Sequence, residues 1–526
     1  MNWDLKHNFS SSIVVFLVAL PLCMGVAMAS GGTVIQGIMA GVIGGLVVGA
    51  LSGSHVSVSG PAAGLIVIVE NAFADIKAFD SLHFMEIFAL AVLISGVFQL
   101  ILAILKLGSI ADFIPVSVIK GMLAAIGIML ILKQFPHLVG YDRDAFGEAK
   151  FIQKDGHNTF SELYYAIKSP TALAVIIGFL GIFILLFYDF NFMKKAKWKT
   201  YVPAPLLVVA FGIIINNAAL SFFPEWAIQR SHMVDIPIFS ETGNIGESMK
   251  GLFGSFYFPY WQAIKYGIVW KLAALIAVIA SVESLLSIEA GDKIDPLKRS
   301  SNPNRELWAQ GAGNILAGFI GALPVTAVIV RTSANVNAGS TNRTSAVLHG
   351  FWLLLFVVLA PKLINQIPLS ALASVLIFVG YKLAKPSLFK EQYQRGWNSI
   401  IPFVITIVAI LLSDLLIGIL VGILVGYVFI LRTNYVDAVT VVHEGNAYLV
   451  RFHSQTSFMN KALVKKRISN IPPNGSVIFD FSNNSFIDTD IIDMIGDYCE
   501  FAERQQITVE MKFHDDVQKS RILTRL

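Results

Sequence analysis

Two cysteines in 526 residues, Cys23 and Cys499, exclude a disulfide framework and a cysteine-ligated metal centre, because they lie far apart with no ligand spacing. Charge is scarce as well: Asp, Glu, Lys and Arg make up 14% of the chain against 55% hydrophobic residues, with a mean hydropathy of +0.68. A soluble core has no use for that much apolar surface, so composition excludes a soluble enzyme. The chain also lacks a catalytic triad, a metal cluster and a nucleotide-binding loop, and nothing in it points to nucleic acid. The loop histidines His137, His157 and His232 are scattered without ligand spacing and receive no role. The formal net charge of +4 matters less than its distribution among loops.

What the chain has is long apolar runs. Reading runs of about 17–25 residues as membrane spans gives fourteen segments. Those of the first half lie near 10–30, 36–51, 60–77, 84–106, 113–132, 170–188 and 202–221. Those of the second lie near 267–289, 306–322, 324–338, 346–364, 369–384, 398–413 and 415–432. Lys6 before the first run and Ala27-Met28-Ala29 at its end resemble a secretory leader, but the run is long enough to span and is read as a retained first span.

Loop charge supports this division. With a cytoplasmic N-terminus, the inside loops carry Lys194, Lys195, Lys197 and Lys199, then Lys293, Lys298, Arg299 and Arg305, then Lys385, Lys390 and Arg395. The long loops 135–168 and 222–264 fall outside and mix both signs, the expected bias toward positive charge inside. An even number of spans also puts the C-terminal segment in the cytoplasm.

The two halves look related. A shift of about 262 residues carries "VSGPAAGLIVIV" near "FIGALPVTAVIV", each with Gly and Pro, then small residues, then an apolar run. Seven spans per half is odd, so the halves have opposite orientation, the inverted-repeat plan of secondary transporters. Repeats are expected at about 1–221 and 265–434, within a transmembrane domain 1–434. After residue 434 the pattern changes: "AYLVRFHS", "SVIFDFSN" and "ITVEMKF" read as strands, and "SFMNKALVKKRISN" and "DTDIIDMIGDYCEFAERQ" as helices. Alternation of this kind predicts a small α/β domain over 435–526.

Irregular backbone at membrane depth is tolerated only where it is buried in protein or lines a water-filled cavity. Ser59-Gly60-Pro61 fits such a place, because Pro suits the first turn of a helix and Gly permits close approach of a ligand. The N–H groups of Ala62, Ala63 and Gly64 would then carry about half a positive charge outward and bind an anion without any charged side chain. Pro324-Val325-Thr326-Ala327 supplies the same elements in the second half, with the Thr326 hydroxyl as a further donor. Two kinked but ordinary spans remain the alternative on pattern alone. Arg331, about two turns into the second half-helix, favours the anion site, because a buried arginine costs at least about 2.5–3.5 kcal/mol at the bilayer centre and needs a cavity or an anion. Snorkelling to the interface is its alternative. Asn335, four residues on, is expected to orient it.

Glu283 lies inside the apolar eighth span with Ser287 one turn later on the same face. Ionised, it could coordinate Na⁺ with Ser287 and backbone carbonyls; with its carboxyl neutralised by burial, it could carry H⁺. A structural hydrogen bond to neighbouring backbone is the third option. Lys120, near an expected cytoplasmic end, reads as snorkelling.

The motifs "ALPLCMGVAMASG", "VSGPAAG", "FIPVSVIKG", "ESLLS", "NRELWAQGAGN" and "VRTSANVNAG", with "VIFDFSNNSFIDTDIIDMI" in the tail, resemble the SulP (sulfate permease) family with a C-terminal STAS domain. The resemblance covers nearly the whole chain. It implies fourteen spans in inverted repeats of seven, divided into core and gate domains, an anion held between the third and tenth half-helices, and a homodimer in the plasma membrane. It places Ser59, Gly60, Ala62, Ala63, Val325, Thr326, Ala327 and Arg331 at the anion, Arg331 matching a basic position of vertebrate relatives. Glu283 and Ser287 match positions that form a sodium site in the bacterial bicarbonate transporter branch, and Thr326 is taken as a third residue of that site. Leu22 stands where many sulfate-type members have glutamine, and Glu283 where the sodium-type acid is often Asp. Bicarbonate and sulfate, and Na⁺ and H⁺, therefore stay open. Thr489 stands roughly where soluble regulators of the STAS fold carry a phosphorylated residue, with Asp490 next to it where a small residue is usual. The expected function is cation-coupled transport of a small inorganic anion, with no cofactor beyond a co-transported ion. A nucleobase–cation symporter, an anion exchanger or channel-like member, and a STAS-based regulatory scaffold are the alternatives.

Overall fold

In an apolar medium a backbone must satisfy its hydrogen bonds within itself, so runs of Leu, Ile, Val, Ala and Gly become helices. The computed structural model describes residues 5–61, 63–142, 158–190, 203–241, 244–413, 415–514 and 519. It divides into two units, Met1–Ile423 and Leu424–Leu526.

Each of the fourteen expected segments contains a helix. The first seven are α1 (Leu5–Ala29), α2 (Val34–Ile43, continued by a π-helical turn Gly44–Val48), α3 (Ile66–Phe79), α4 (Phe84–Ile104), α5 (Val116–Leu138), α6 (Ala172–Asp189) and α7 (Ala204–Phe222). The next seven are α8 (Gly267–Ile294), α9 (Pro303–Ile320), α10 (Ile329–Asn337), α11 (Thr344–Leu359), α12 (Leu369–Leu383), α13 (Trp397–Leu412) and α14 (Leu415–Asp437). Among the described residues, nine helices are long and apolar enough to cross a membrane. The helices after the Gly- and Pro-containing stretches are short, with 14 residues in α3 and 9 in α10. The loop holding Lys194 to Lys199 lies outside the described residues.

The helices pack as two groups. In one, α9 lies along α4, α8 along α4, and α1 against α2 and α11. In the other, α5 packs against α12 and α13, and α6 against α7 and α12. Helices one to four and eight to eleven thus belong together, as do five to seven with twelve and thirteen, the same positions in each half.

The two helices expected to start at Pro61 and Pro324 start later. Ser59–Pro61 is a strand, β1, followed by a 3₁₀ turn Ala63–Leu65 before α3; Val325–Ala327 is a strand, β2, before α10. The strands pair antiparallel, Ser59 with Ala327, Gly60 with Thr326 and Pro61 with Val325. Each segment offers the other the hydrogen bonds that a helix would have supplied locally, which is why neither coils at once. Ala62 lies outside the described residues.

The second unit contains a four-stranded sheet in the order β3 (Val439–Glu444), β4 (Ala447–Phe452), β6 (Ser476–Asp480), β8 (Thr508–Lys512). β3 runs antiparallel to β4, and the other two neighbours are parallel. A second, parallel pair joins β5 (Ser454–Thr456) and β7 (Asn484–Ile487). Helices α15 (Lys461–Ile468) and α16 (Thr489–Arg504) supply Val464, Ile491 and Ile495 to a core shared with Val450, Phe452 and Phe479 of the sheet. Strands β3, β5 and β7 were not expected from the sequence; β5 and β7 have only three and four residues, too few for a clear alternation.

Candidate anion and cation site

The strand crossing is held in place by polar groups on one face of α9. Glu306, Gln310 and Asn314 recur every four residues, so they stack along a single stripe. Asn314 clamps β2 from both sides, its Nδ2 donating to the Val325 carbonyl at 2.9 Å and its Oδ1 accepting from the Val325 N–H at 2.7 Å. Gln310 Nε2 donates to Ser59 Oγ of β1 at 3.0 Å and to Glu306 Oε1 at 2.8 Å. The other Glu306 oxygen accepts from the Gly53 N–H at 2.9 Å and from the Ser52 hydroxyl. From α8, Ser284 Oγ accepts from the Ala327 N–H at 3.1 Å. This role was not expected from "NRELWAQGAGN", although its four-residue polar spacing in an apolar span is the signal.

Glu283 of α8 is 9% exposed, and its carboxylate accepts a hydrogen bond from the Gly64 N–H in the first turn leading into α3. A Cβ on Gly64 would stand 2.9 Å from Glu283 Oε2, so glycine here lets the carboxylate sit against the backbone. Oε2 itself has no hydrogen-bond partner. Glu283 and Ser287 line a cavity of about 20 Å³ together with Gly64 and with Ile329, the first residue of α10. That is room for about one water. Both half-helix starts therefore open on the space where the acid and the hydroxyl lie. Ala63, beside Gly64, is exposed. Thr326 stands elsewhere: fully buried in β2, its hydroxyl donates to the Ala327 carbonyl at 3.3 Å, and it does not line this cavity.

Arg331 is fully buried and is the third residue of α10, not two turns in, because that helix starts late. Its guanidinium lies behind β1. Nη2 donates to the Pro61 carbonyl at 3.3 Å, while Nε and Nη1 have no partner. A Cβ on Gly60 would stand 1.8 Å from Nη1, so only glycine fits over this cation. Cys23 of α1 and His349 of α11 flank the guanidinium, and His349 Nε2 is also unpartnered. Asn335 does not orient Arg331. It donates to the Val56 carbonyl at 2.8 Å and accepts from the Ser345 hydroxyl at 2.6 Å. Of the expected anion residues that are described, Ser59, Gly60, Val325, Thr326, Ala327 and Arg331 come together but are buried, and Ala63 is exposed.

Two further groups find partners that the sequence did not name. Lys120, read as reaching toward the cytoplasmic interface, has a side chain 14% exposed that pairs with Glu391 at 2.6 Å. His137 and His232, 95 positions apart, converge on Asp142, each through Nδ1, with 2.6 Å from His232 to the carboxylate. Burial pushes the Asp142 carboxyl up, but the hydrogen bonds from both imidazoles outweigh it and hold it below its ordinary value. No spacing rule could have paired these residues, since the fold alone brings them together. His157 lies outside the described residues. Among the described residues no group of three or more His, Cys, Asp or Glu could hold a metal ion. In the second unit Thr489 is exposed as the first residue of α16, whose N-cap is Asp488.

Comparison with known proteins matches residues 5–409 to the sulfate permease family. The Bacillus subtilis protein YvdB is 27% identical over 380 residues, 72% of this chain and 65% of its own. The bicarbonate transporter BicA of Picosynechococcus is 25% identical over 393 residues, 74% of this chain and 64% of its own. The chain thus spans just under two thirds of the length of these relatives. Among solved structures, the murine Solute Carrier 26 family member A9 anion transporter, in its inward-facing state, superposes with a TM-score of 0.68 at 14% identity, over 100% of this chain and 88% of its own. The fold is that of a helical multi-span membrane protein with a small C-terminal α/β region. The chain belongs to the sulfate permease family, a family of transporters and not of enzymes.

Proposed function

We propose that the protein is a secondary active transporter of a small inorganic anion, bicarbonate or sulfate, coupled to H⁺ or Na⁺ and working by alternating access. One observation carries this reading: a carboxylate with an unpartnered oxygen occupies the start of half-helix α3, in a cavity that also reaches the start of α10. Ionised Glu283 takes the Gly64 N–H and repels an anion approaching Ala63. Two like charges about 5 Å apart at an effective dielectric near 20 repel by roughly 3 kcal/mol, about two orders of magnitude in affinity. Neutralised by a cation, Glu283 frees the helix start for the anion. That is the coupling. The buried Arg331, short of hydrogen-bond partners, supplies positive charge from behind β1.

The proton is the better-supported cation. Apart from Glu283, Ser287 and Gly64, the cavity is walled by apolar side chains such as Met122, Leu286 and Leu415, too few oxygens for a sodium shell. Sodium, held by Glu283, Ser287 and Thr326, is the second reading and would require Thr326 to leave its present place.

In this reading all fourteen helices cross the membrane as two inverted repeats of seven. The antiparallel β1–β2 crossing and the grouping of equivalent helices support that arrangement. The group containing α8–α10 acts as the core and the group containing α5 and α12 as the gate. A homodimer in the plasma membrane follows from the resemblance, with the N-terminus and a STAS domain in the cytoplasm. Phosphorylation of Thr489 is a regulatory corollary. The test is uptake of labelled bicarbonate and labelled sulfate into proteoliposomes under an inward proton or sodium gradient. Uptake of one anion that needs one gradient is expected; uptake of uracil or xanthine with none of either oxyanion would sink the proposal.

A further inference from the structure

A second, larger cavity, about 610 Å³, lies between the two helix groups. Cations converge on it from separate elements: Lys120 of α5, Lys293 at the end of α8 with Lys298 just beyond, Lys382 of α12, and Lys385 and Arg395 around the short helix Pro386–Gln394. Carboxylates offset only part of this charge. Glu391 is shared between Lys120 and Arg395, Glu289 pairs with Lys293 at 2.8 Å, and Asp189 pairs with Lys382. Lys298 reaches only the Lys293 carbonyl, at 2.6 Å, and among the described residues neither Lys298 nor Lys385 has a carboxylate partner. Six cations thus line the cavity beside one lining carboxylate, Glu391, while Glu289 and Asp189 each pair with a lysine from outside the lining, which leaves a net positive cleft.

Between the cations the walls mix apolar side chains, Val116 and Leu123 on α5, Val336 on α10 and Leu388 on the short helix, with the neutral polar groups Ser333, Asn337 and Ser387. A small oxyanion, a few water volumes of about 30 Å³ each, would leave most of this space to water. The volume is that of a pocket for an organic ligand, roughly 300–1,000 Å³. We propose that this cavity binds an organic phosphate of the nucleotide class, its phosphates on Lys298 and Lys385 and its apolar part against Leu123, Val336 and Leu388. Because α8 and α10 belong to one helix group and α5 and α12 to the other, an occupant ties them together and slows the relative motion that transport needs. By loop charge the cavity opens to the cytoplasm, where such ligands are abundant.

The test uses the purified full-length protein and labelled ATP without magnesium, measured by equilibrium dialysis. Saturable binding of one ATP per chain is expected. The double substitution Lys298→Gln, Lys385→Gln changes two exposed side chains and should weaken it roughly tenfold without lowering the unfolding temperature. Unchanged affinity in that variant overturns the proposal, as does a lack of saturable binding at millimolar ATP. Inorganic tripolyphosphate should displace ATP several-fold less well than unlabelled ATP does; equal displacement overturns the assignment to an organic ligand. Binding is read directly, so the outcome is independent of which anion the protein carries.

Discussion

Half-helices α3 and α10 occupy equivalent places in the two halves, each entered through a buried three-residue strand, yet they treat charge differently. The start of α3 meets a carboxylate from α8, held at the Gly64 N–H. The start of α10 borders the same cavity through Ile329 and carries its own guanidinium, turned back behind β1. Glycine allows both arrangements, Gly64 under the carboxylate and Gly60 under the guanidinium. Opposite charges thus flank one short segment, four positions apart. The repeat supplies geometry twice; single side chains, present once, make it directional.

The strongest way to break this asymmetry is Gly60→Ala. A methyl 1.8 Å from Arg331 Nη1 forces either the buried guanidinium or the strand pair to shift. Overpacking of this kind costs about 1–3 kcal/mol or more, so we expect a lowered unfolding temperature and loss of uptake of either anion. Normal stability and flux would mean that the guanidinium moves aside freely.

Glu283→Gln removes the charge at the α3 start and keeps its shape. Gradient-driven uptake should fall by about two orders of magnitude, while the unfolding temperature stays the same or rises. Undiminished accumulation in proteoliposomes would take Glu283 out of the coupling.

Arg331→Met removes the charge at the α10 side. Exchanging a buried, under-paired ion for an apolar side chain is often neutral or stabilising, so the protein should fold at least as well. Anion affinity should fall about tenfold for divalent sulfate, and less for bicarbonate. An equal loss for both anions would show that the guanidinium shapes the site without acting on charge.

The smallest effect sharpens the comparison within the α9 stripe. Asn314→Ala orphans the N–H and carbonyl of Val325, which are buried, whereas Gln310→Ala frees only the Ser59 hydroxyl and one Glu306 oxygen. The first should cost about 1–3 kcal/mol and the second about 1 kcal/mol, read from denaturant or thermal unfolding. The reverse order would mean that β1, not β2, is the strand held under tension by α9.

Much of the fold was legible because its signals are local. Apolar run length placed a helix in every expected segment, and the motifs pointed to the family that the comparison then matched over residues 5–409. The pairing of Glu283 with Ser287 was also legible, since one helical turn separates them and a single cavity holds both. Legibility failed where contacts are distant. Pro61 and Pro324 read as helix starters because Pro suits a first turn, but each segment found a strand partner more than 260 positions away. Arg331 was expected to face open space with Asn335 beside it; later helix starts turned both residues inward. The partner of Lys120 was not legible, because Glu391 is 271 positions off.

What the sequence determined alone is therefore the medium, the places of the apolar helices, the change of class near residue 434 and the residues that carry charge into an apolar region. These follow from composition and period, which act over one or two helical turns. The tertiary structure decided which backbone groups are spent on the strand crossing, which charge lies on which side of β1, and which cations share a cavity. Those outcomes depend on which distant segment meets each buried polar group, and in an apolar interior an unmet group costs more than local propensity can offset.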